Sequence, residues 1–274
     1  RLFLKHGRGV AWELNSGRIF WSDALFYLGH HRQLDQRFVE WIADATERGD
    51  DHILAALQMA KGPRSALRDG DIELAKEEIA EGAGRWNAPY ISYHHLSAGV
   101  GNAYVNIYRG APREALATMP ELRAMMKKSY MDQVHVAQVQ VGGMEAIASL
   151  EAAADERNVS VRRDLLRRAR RMAQMMFSQG ATWSTGLALQ FDALAGLIEA
   201  PSTEGIEQLR QAQVLFEDAG MRLHAAGING RVGELIGGDE GKELLDRCHA
   251  VFAQAEIGDW VSGLSCITPR VLPR

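Results

Sequence analysis

Ile107-Tyr108-Arg109-Gly110-Ala111-Pro112 reads as one helix ending and another beginning. Glycine accepts the left-handed backbone with which helices commonly stop, and proline suits the first turn of the next. The same apolar end, glycine and new helix recur at Tyr27-Leu28-Gly29, Leu67-Arg68-Asp69-Gly70 and Leu235-Ile236-Gly237. Degenerate copies without glycine fit between, near Ala154 and Ala200. The unit is roughly 40 residues, longer than the ~34 of tetratricopeptide repeats but within the range of stacked-repeat folds. The expected fold is all-α: a right-handed superhelix of roughly six antiparallel helix pairs, a TPR-like α-solenoid. It is read as one helical-repeat domain over residues 1–274, with a short tail from about 257.

Composition narrows the function classes. The chain has 274 residues, 46% hydrophobic and 24% charged, which is ordinary for a globular protein in water. Its net charge of -4 argues against non-specific nucleic-acid binding. No apolar run approaches the ~18 residues of a membrane span. Neither nucleic acid nor membrane insertion is therefore expected, and the expected location is cytoplasmic. The start, Arg1-Leu2-Phe3-Leu4-Lys5, does not read as a signal peptide, and without an initiator Met the chain reads as a piece of a longer protein. Cys248 and Cys266 have no framework or metal spacing and are expected as reduced, packed thiols.

The expected helix pairs are 8–28 with 34–48, 51–69 with 71–84, 89–109 with 112–128, 130–156 with 160–178, 181–200 with 203–218, and 221–236 with 239–255. A short helix is expected near Trp260, and Pro120 is a candidate break. Gly49-Asp50-Asp51, Asp71 and Ser160 have the residue types of helix boundaries and caps. First helices carry the broader apolar surface, as expected if neighbours sandwich them while second helices face water. Gly99, Gly101, Gly142, Gly143 and Gly186 lie inside first helices, where close packing is the favoured reading and a ligand near the backbone the other.

Catalytic signatures are missing from the sequence. It contains no P-loop, G-x-G-x-x-G, kinase loop, G-x-S-x-G elbow, His-Glu-x-x-His or Cys-x-x-Cys. His30-His31 and His94-His95 are adjacent, so their side chains point about 100° apart on a helix. Asp132 and His135 share an i, i+3 spacing without a second such unit. No metal, cofactor or enzyme activity is expected in this segment; a hidden enzyme on the solenoid is the third-ranked reading.

Trp86, Tyr90, Tyr93, His94, Tyr104 and Tyr108 crowd the third pair. Such residues pack cores, and they are also enriched where proteins grip other proteins. The candidate concave binding face is Trp86, Tyr90, Tyr93, His94 and Tyr104, followed by His135, Trp183 and Gln190. The arginine run 162–171 reads as the solvated face of a second helix, with Leu165, Leu166, Ala169, Met172, Ala173 and Met176 opposite.

The segment QLRQAQVLFEDAGMRLHAA, within 207–226, resembles a tetratricopeptide-type helix pair. Arg231-Val-Gly-Glu-Leu-Ile-Gly-Gly-Asp-Glu-Gly241 resembles the C-terminal repeat region of large bacterial serine/threonine protein kinases of the planctomycete and myxobacterial kind. Residues 8–14, 24–29 and 107–110 are similar to the same proteins, whereas the tail after Ile257 departs from their pattern. The resemblance implies a parent with a kinase domain and a signal-transduction ATPase, using ATP and Mg. This segment would then be a non-catalytic scaffold or sensor in signal transduction. Its partners would be protein segments or other domains of the same chain. The period also resembles the superhelical sensor domains of bacterial ATP-dependent transcription activators, which implies the alternative: a small-molecule-sensing domain of a signalling ATPase or transcription regulator.

Overall fold

The structure is a computed structural model describing residues 11–86 and 93–273, and all regular structure among the described residues is helical. The helices are α1 (Ala11–Tyr27), α2 (His31–Arg48), α3 (Asp51–Asp69), α4 (Ile72–Arg85), α5 (Tyr93–Tyr108), α6 (Pro112–Lys128), α7 (His135–Ala154), α8 (Val159–Phe177), α9 (Thr182–Glu199), α10 (Thr203–Asp218), α11 (Arg222–Ile236), α12 (Gly238–Gln254) and α13 (Trp260–Ile267). Consecutive helices pack in neighbouring pairs, and the first helices α3, α5, α7 and α9 touch in succession.

The recurring landmark is the turn within each pair. Gly29, Gly70, Gly110 and Gly237 all have left-handed backbone, with φ of 74°, 71°, 77° and 62°. The copies without glycine fall where α7 and α9 stop, at Ala154 and Glu199. Between pairs, Gly49, Tyr130, Gly180 and Gly220 take the positive φ instead. Tyr130 initiates a short 3-10 turn, Met131–Gln133, so α7 begins at His135 and not near 130.

Two local expectations are corrected. Ser160 does not cap α8; Asn158 does, its side-chain oxygen accepting from the N–H groups of Ser160 and Val161 at 3.0 and 3.2 Å. An amide oxygen reaches both orphan donors of the first turn from there. Pro120 does not break α6, which runs through it. The proline is exposed, and Ala115, Leu116, Met119, Leu122 and Met126 bury the other side of the helix. Asp71 does cap α4, accepting from Leu74 N–H at 3.0 Å.

Burial separates first from second helices in the later pairs. From Ala137 on, α7 is buried around nearly its whole circumference, while α8 buries the stripe Leu165, Leu166, Ala169, Ala173 and Met176. The α8 arginines face water or pair with acids, as Arg170 does with Glu199 at 2.8 Å. The first pair reverses the rule. Helix α1 buries Asn15, Arg18 and Ser22 and leaves Trp12, Phe20 and Trp21 exposed. Its polar face has acidic partners on the next elements: Arg18 pairs with Asp44 at 2.6 Å and Asn15 donates to Asp50 at 2.8 Å.

The first pair meets the last. The Tyr27 ring lies 5.7 Å from Trp183 on α9 and 6.2 Å from His224 on α11. A methyl group on Gly29 would sit 3.1 Å from Leu223 Cγ, so the α1–α2 turn abuts the start of α11.

The C-terminal segment is not a peripheral tail. Helix α13 packs on α3, α5, α7, α11 and α12, and residues 263–271 are all buried. Gly258 N–H donates to Arg68 O at 2.9 Å, and Gln190 Nε2 donates to Ile267 O at 2.8 Å. Arg231 Nε donates to Thr268 O at 2.8 Å. Arg270 donates through its backbone N and its Nε to the two oxygens of Glu151, each at 2.8 Å. The C-terminal segment thus lies against α3, α5, α7, α9 and α11.

Candidate ligand-binding site

A cavity of ≈ 120 Å³ remains where the first pair, the first helices and α13 converge. Its walls come from α1 (Asp23, Phe26, Tyr27), α2 (His31), α3 (Met59, Ala60, Pro63, Arg64), α5 (Tyr93, Val100, Tyr104), α7 (Val139, Gln140, Ile147), α9 (Leu187, Phe191), α11 (Leu223, His224) and α13 (Cys266, Ile267). Concave, mainly apolar sites with a few converging polar groups are the common form of small-molecule sites.

The polar groups form one cluster. Arg64 Nη2 donates to Asp23 Oδ1 at 3.0 Å, and Arg64 Nη1 donates to Ala60 O at 2.6 Å. The guanidinium lies 5.0 Å from the Phe26 ring centre and 5.4 Å from that of Phe38. Tyr93 OH stands 3.2 Å from Asp23 Oδ2 and 3.3 Å from Gln140 Oε1, and Gln140 Nε2 donates to Asp23 Oδ2 at 3.3 Å. Arg64 Nε, His31 Nε2 and His224 Nδ1 are buried without a protein partner.

Burial sets the protonation of these walls. It lowers His224 to about 3; burial with the nearby Arg64 and Arg68 charges lowers His31 to about 4. Burial raises Tyr27, Tyr93 and Tyr104, and lifts the Cys266 thiol well above its usual range. At neutral pH both histidines, the tyrosines and the thiol are uncharged. Among the described residues of the wall, the opposed charges are Asp23 and Arg64, and they face each other.

These histidines tie stability to pH. His31, His94 and His224 sit at about 4, 4 and 3 in the fold, against 6.5 when unfolded. Below 6.5 the unfolded chain binds more protons than the native one, so stability is complete above that pH and declines as pH falls toward 4. The slope is about 1.4 kcal/mol per histidine for each pH unit. Thermal melts at pH 7 and pH 5 check this; an unchanged Tm would contradict it.

The sequence candidates separate. Tyr93 and Tyr104 line the cavity. Gln190 is fully buried, and its amide N–H holds the C-terminal segment. Trp183 packs on Tyr27 behind the wall, and His135 is exposed at the start of α7. Trp86 and His94 belong elsewhere, in a ring cluster with His52 with centroids 4.4 to 4.8 Å apart, beside a second cleft. Tyr90 lies outside the described residues. Of the intrahelical glycines, Gly99, Gly142 and Gly186 pack closely against Leu122, Met175 and Phe216, whereas Gly143 lines the cavity with no atom nearer than 3.8 Å to an added methyl.

Sequence reasoning missed Asp23, Phe26, Tyr27, Arg64, Gln140 and His224. One signal was available: Asp23 and Gln140 are polar residues on or beside the apolar faces of first helices, where a buried polar group needs a partner.

No family model, curated protein or solved structure matches this chain. Among the described residues there is no cluster of three or more His, Cys, Asp or Glu placed to hold a metal ion. No helix among the described residues is long and apolar enough to cross a membrane.

Proposed function

We propose that this chain is a small-molecule-binding regulatory domain, a right-handed superhelical array of the TPR-like kind whose ligand enters the cavity between α1, the first helices and α13. The observation that carries the reading is a mainly apolar cavity four of whose lining residues keep a buried polar atom without a partner, His31 Nε2, Arg64 Nε, Tyr104 Oη and His224 Nδ1. Orphaned buried donors and acceptors are costly, so a native fold that keeps them at one void favours a molecule that satisfies them. Binding couples α1 to α9, α11 and α13, elements far apart in the chain. Occupancy thereby stabilises the closure of the first pair on the last, which is how such a domain would signal to attached domains. Attachment to a serine/threonine kinase or signalling ATPase, in the cytoplasm, is proposed on the sequence resemblance alone.

The protein-segment reading ranks second, because the chain's own residues 258–271 lie against α3, α5, α7, α9 and α11. The test is a thermal-shift screen of the chain against a broad metabolite set. A ligand that binds only the native state raises Tm, by about 2.7 kcal/mol of stabilisation at a hundredfold excess over Kd. Val100→Phe, which pushes a ring from the half-buried wall position into the cavity, is expected to abolish that shift. A silent screen, or shifts that survive Val100→Phe, would overturn the reading.

A further inference from the structure

We propose that the outward face of α1 is a self-association surface, on which a second copy of this chain docks with its own α1 running antiparallel. The proposal stands apart from the cavity and from its ligand.

The face is an inversion of the usual helix pattern. Glu13, Gly17, Phe20 and Ala24 follow one another at i, i+4, i+7 and i+11, so they share one side of α1, and all four are exposed. Trp12 and Trp21 flank that side. Trp12, Phe20 and Trp21 are 71%, 57% and 46% exposed, while Asn15, Arg18 and Ser22 take the inward side. Exposed rings clustered on one helix differ from the scattered single apolar residues of an ordinary surface. Aromatic side chains of this kind anchor protein interfaces once they are desolvated. Trp21 is already braced for such a contact, with the Trp41 ring centre 5.6 Å away and the Arg37 guanidinium 5.3 Å from its own ring centre.

Charge selects the occupant. Helices that lie on membranes are rich in Lys and Arg along the polar side. The one basic residue of α1 is Arg18, which is 6% exposed and paired with Asp44, and the outward face carries Glu13. The patch therefore presents both signs, Glu13 on α1 and Arg37 beside Trp21. Two copies related by a two-fold axis present the same patch to each other, so a patch with both signs can complement itself. With Phe20 of each copy set over Gly17 of the other, antiparallel pairing puts Glu13 opposite Ala24. That is three residues, or ~4.5 Å of helix, from Trp21 and the neighbouring Arg37. Parallel pairing would instead bring the two Glu13 carboxylates together. Gly17 has no atom within 4 Å of an added Cβ, so the backbone of α1 is open to an approaching ring there.

Area sets the strength. Aromatic side chains carry roughly 150–250 Å² each, so the exposed fractions of the three leave about 300 Å² of ring surface per copy. Two copies supply about 600 Å² of a contact that needs roughly 1,200 Å² to be stable, and Gly17, Ala24 and the charged rim extend it. The expected association is therefore weak, in the micromolar range.

The test is sedimentation equilibrium of the whole chain at low ionic strength, run beside thermal melts. A monomer–dimer equilibrium is expected between roughly 1 and 300 μM. Phe20→Ser should weaken it at least tenfold while leaving the Tm of the dilute chain unchanged, because the ring supports nothing inside the fold. Glu13→Arg and Arg37→Glu should each weaken it several-fold by opposing like charges, and combining the two should restore it. A chain that stays monomeric throughout, or a dimer indifferent to Phe20→Ser, would overturn the proposal. So would a monomer whose Tm falls in Phe20→Ser, since the face would then be covered from within the chain. Binding to anionic vesicles without self-association would assign the face to a membrane instead. A dimer lost in Phe20→Ser but not restored by the double charge exchange would overturn the antiparallel arrangement.

Discussion

Arg270→Ala is expected to cost about 3–5 kcal/mol of stability, the range for removing one partner of a buried ion pair. Glu151 is only 2% exposed, and Arg270 supplies its charged partner from a position 119 residues away in sequence. Without the guanidinium, Glu151 keeps one backbone N–H for a full negative charge. Asp155 receives the same guanidinium at 2.8 Å but is 44% exposed, so Asp155→Ala should cost no more than about 1 kcal/mol. Urea midpoints of the two variants give the comparison. Pairing Arg270→Ala with Glu151→Gln should recover part of the loss, because an amide is far cheaper to bury than an unpaired carboxylate. A second readout follows the segment itself. Cys266 lies four residues before Arg270 and is buried, so its labelling by a thiol reagent should accelerate in Arg270→Ala. Cys248, buried between α11 and α12, should keep its rate. A loss below 1 kcal/mol with unchanged Cys266 labelling would mean that the C-terminal segment is not locked by this pair.

Local chemistry made the helix–turn–helix order legible in the sequence. A left-handed turn asks for glycine, a helix start asks for a side-chain oxygen, and an amphipathic stripe repeats every turn. Three helices, 51–69, 112–128 and 203–218, fall on the expected bounds. What was not legible depends on contacts that no period encodes. The segment after 257 looks like a short apolar end, yet its backbone carbonyls at Ile267 and Thr268 are acceptors for Gln190 and Arg231. Helix α1 shows the same limit. Trp12 and Phe20 suggest a buried face, but the acids at positions 44 and 50 draw Arg18 and Asn15 inward and turn the rings out. The cavity joins Asp23 to Gln140 across 117 residues, so only the closure of the first pair on the last reveals it. Carboxylates inside an all-round apolar helix were the usable clue. Glu145 and Glu151 on α7 each required a cation, which Arg123 and Arg168 supply to the first and Arg270 to the second.

The same methyl group is expected to have opposite effects at two helical glycines. At Gly227 on α11 an added Cβ would stand 2.3 Å from Thr268 Oγ1 and 3.2 Å from Leu264 Cδ1. Thr268 is fully buried. A backbone shift of Thr268 also pulls its carbonyl from Arg231 Nε, a guanidinium that is 2% exposed. Glu234 still pairs with Arg231 Nη1 at 2.8 Å, so the charge is not abandoned, but one of its hydrogen bonds is lost. Overpacking and a weakened charged hydrogen bond together predict a loss of about 2–5 kcal/mol for Gly227→Ala. Gly196 on α9 has nothing within 4 Å of an added Cβ. There the substitution only removes glycine's conformational freedom from a helix interior, and Gly196→Ala should gain about 0.5–1 kcal/mol. Urea denaturation of the two variants reads both signs, and the Gly227→Ala loss should be accompanied by faster thiol labelling of Cys266. Equal effects at the two positions would show that α11 does not clasp the C-terminal segment as closely as the Thr268 contact implies.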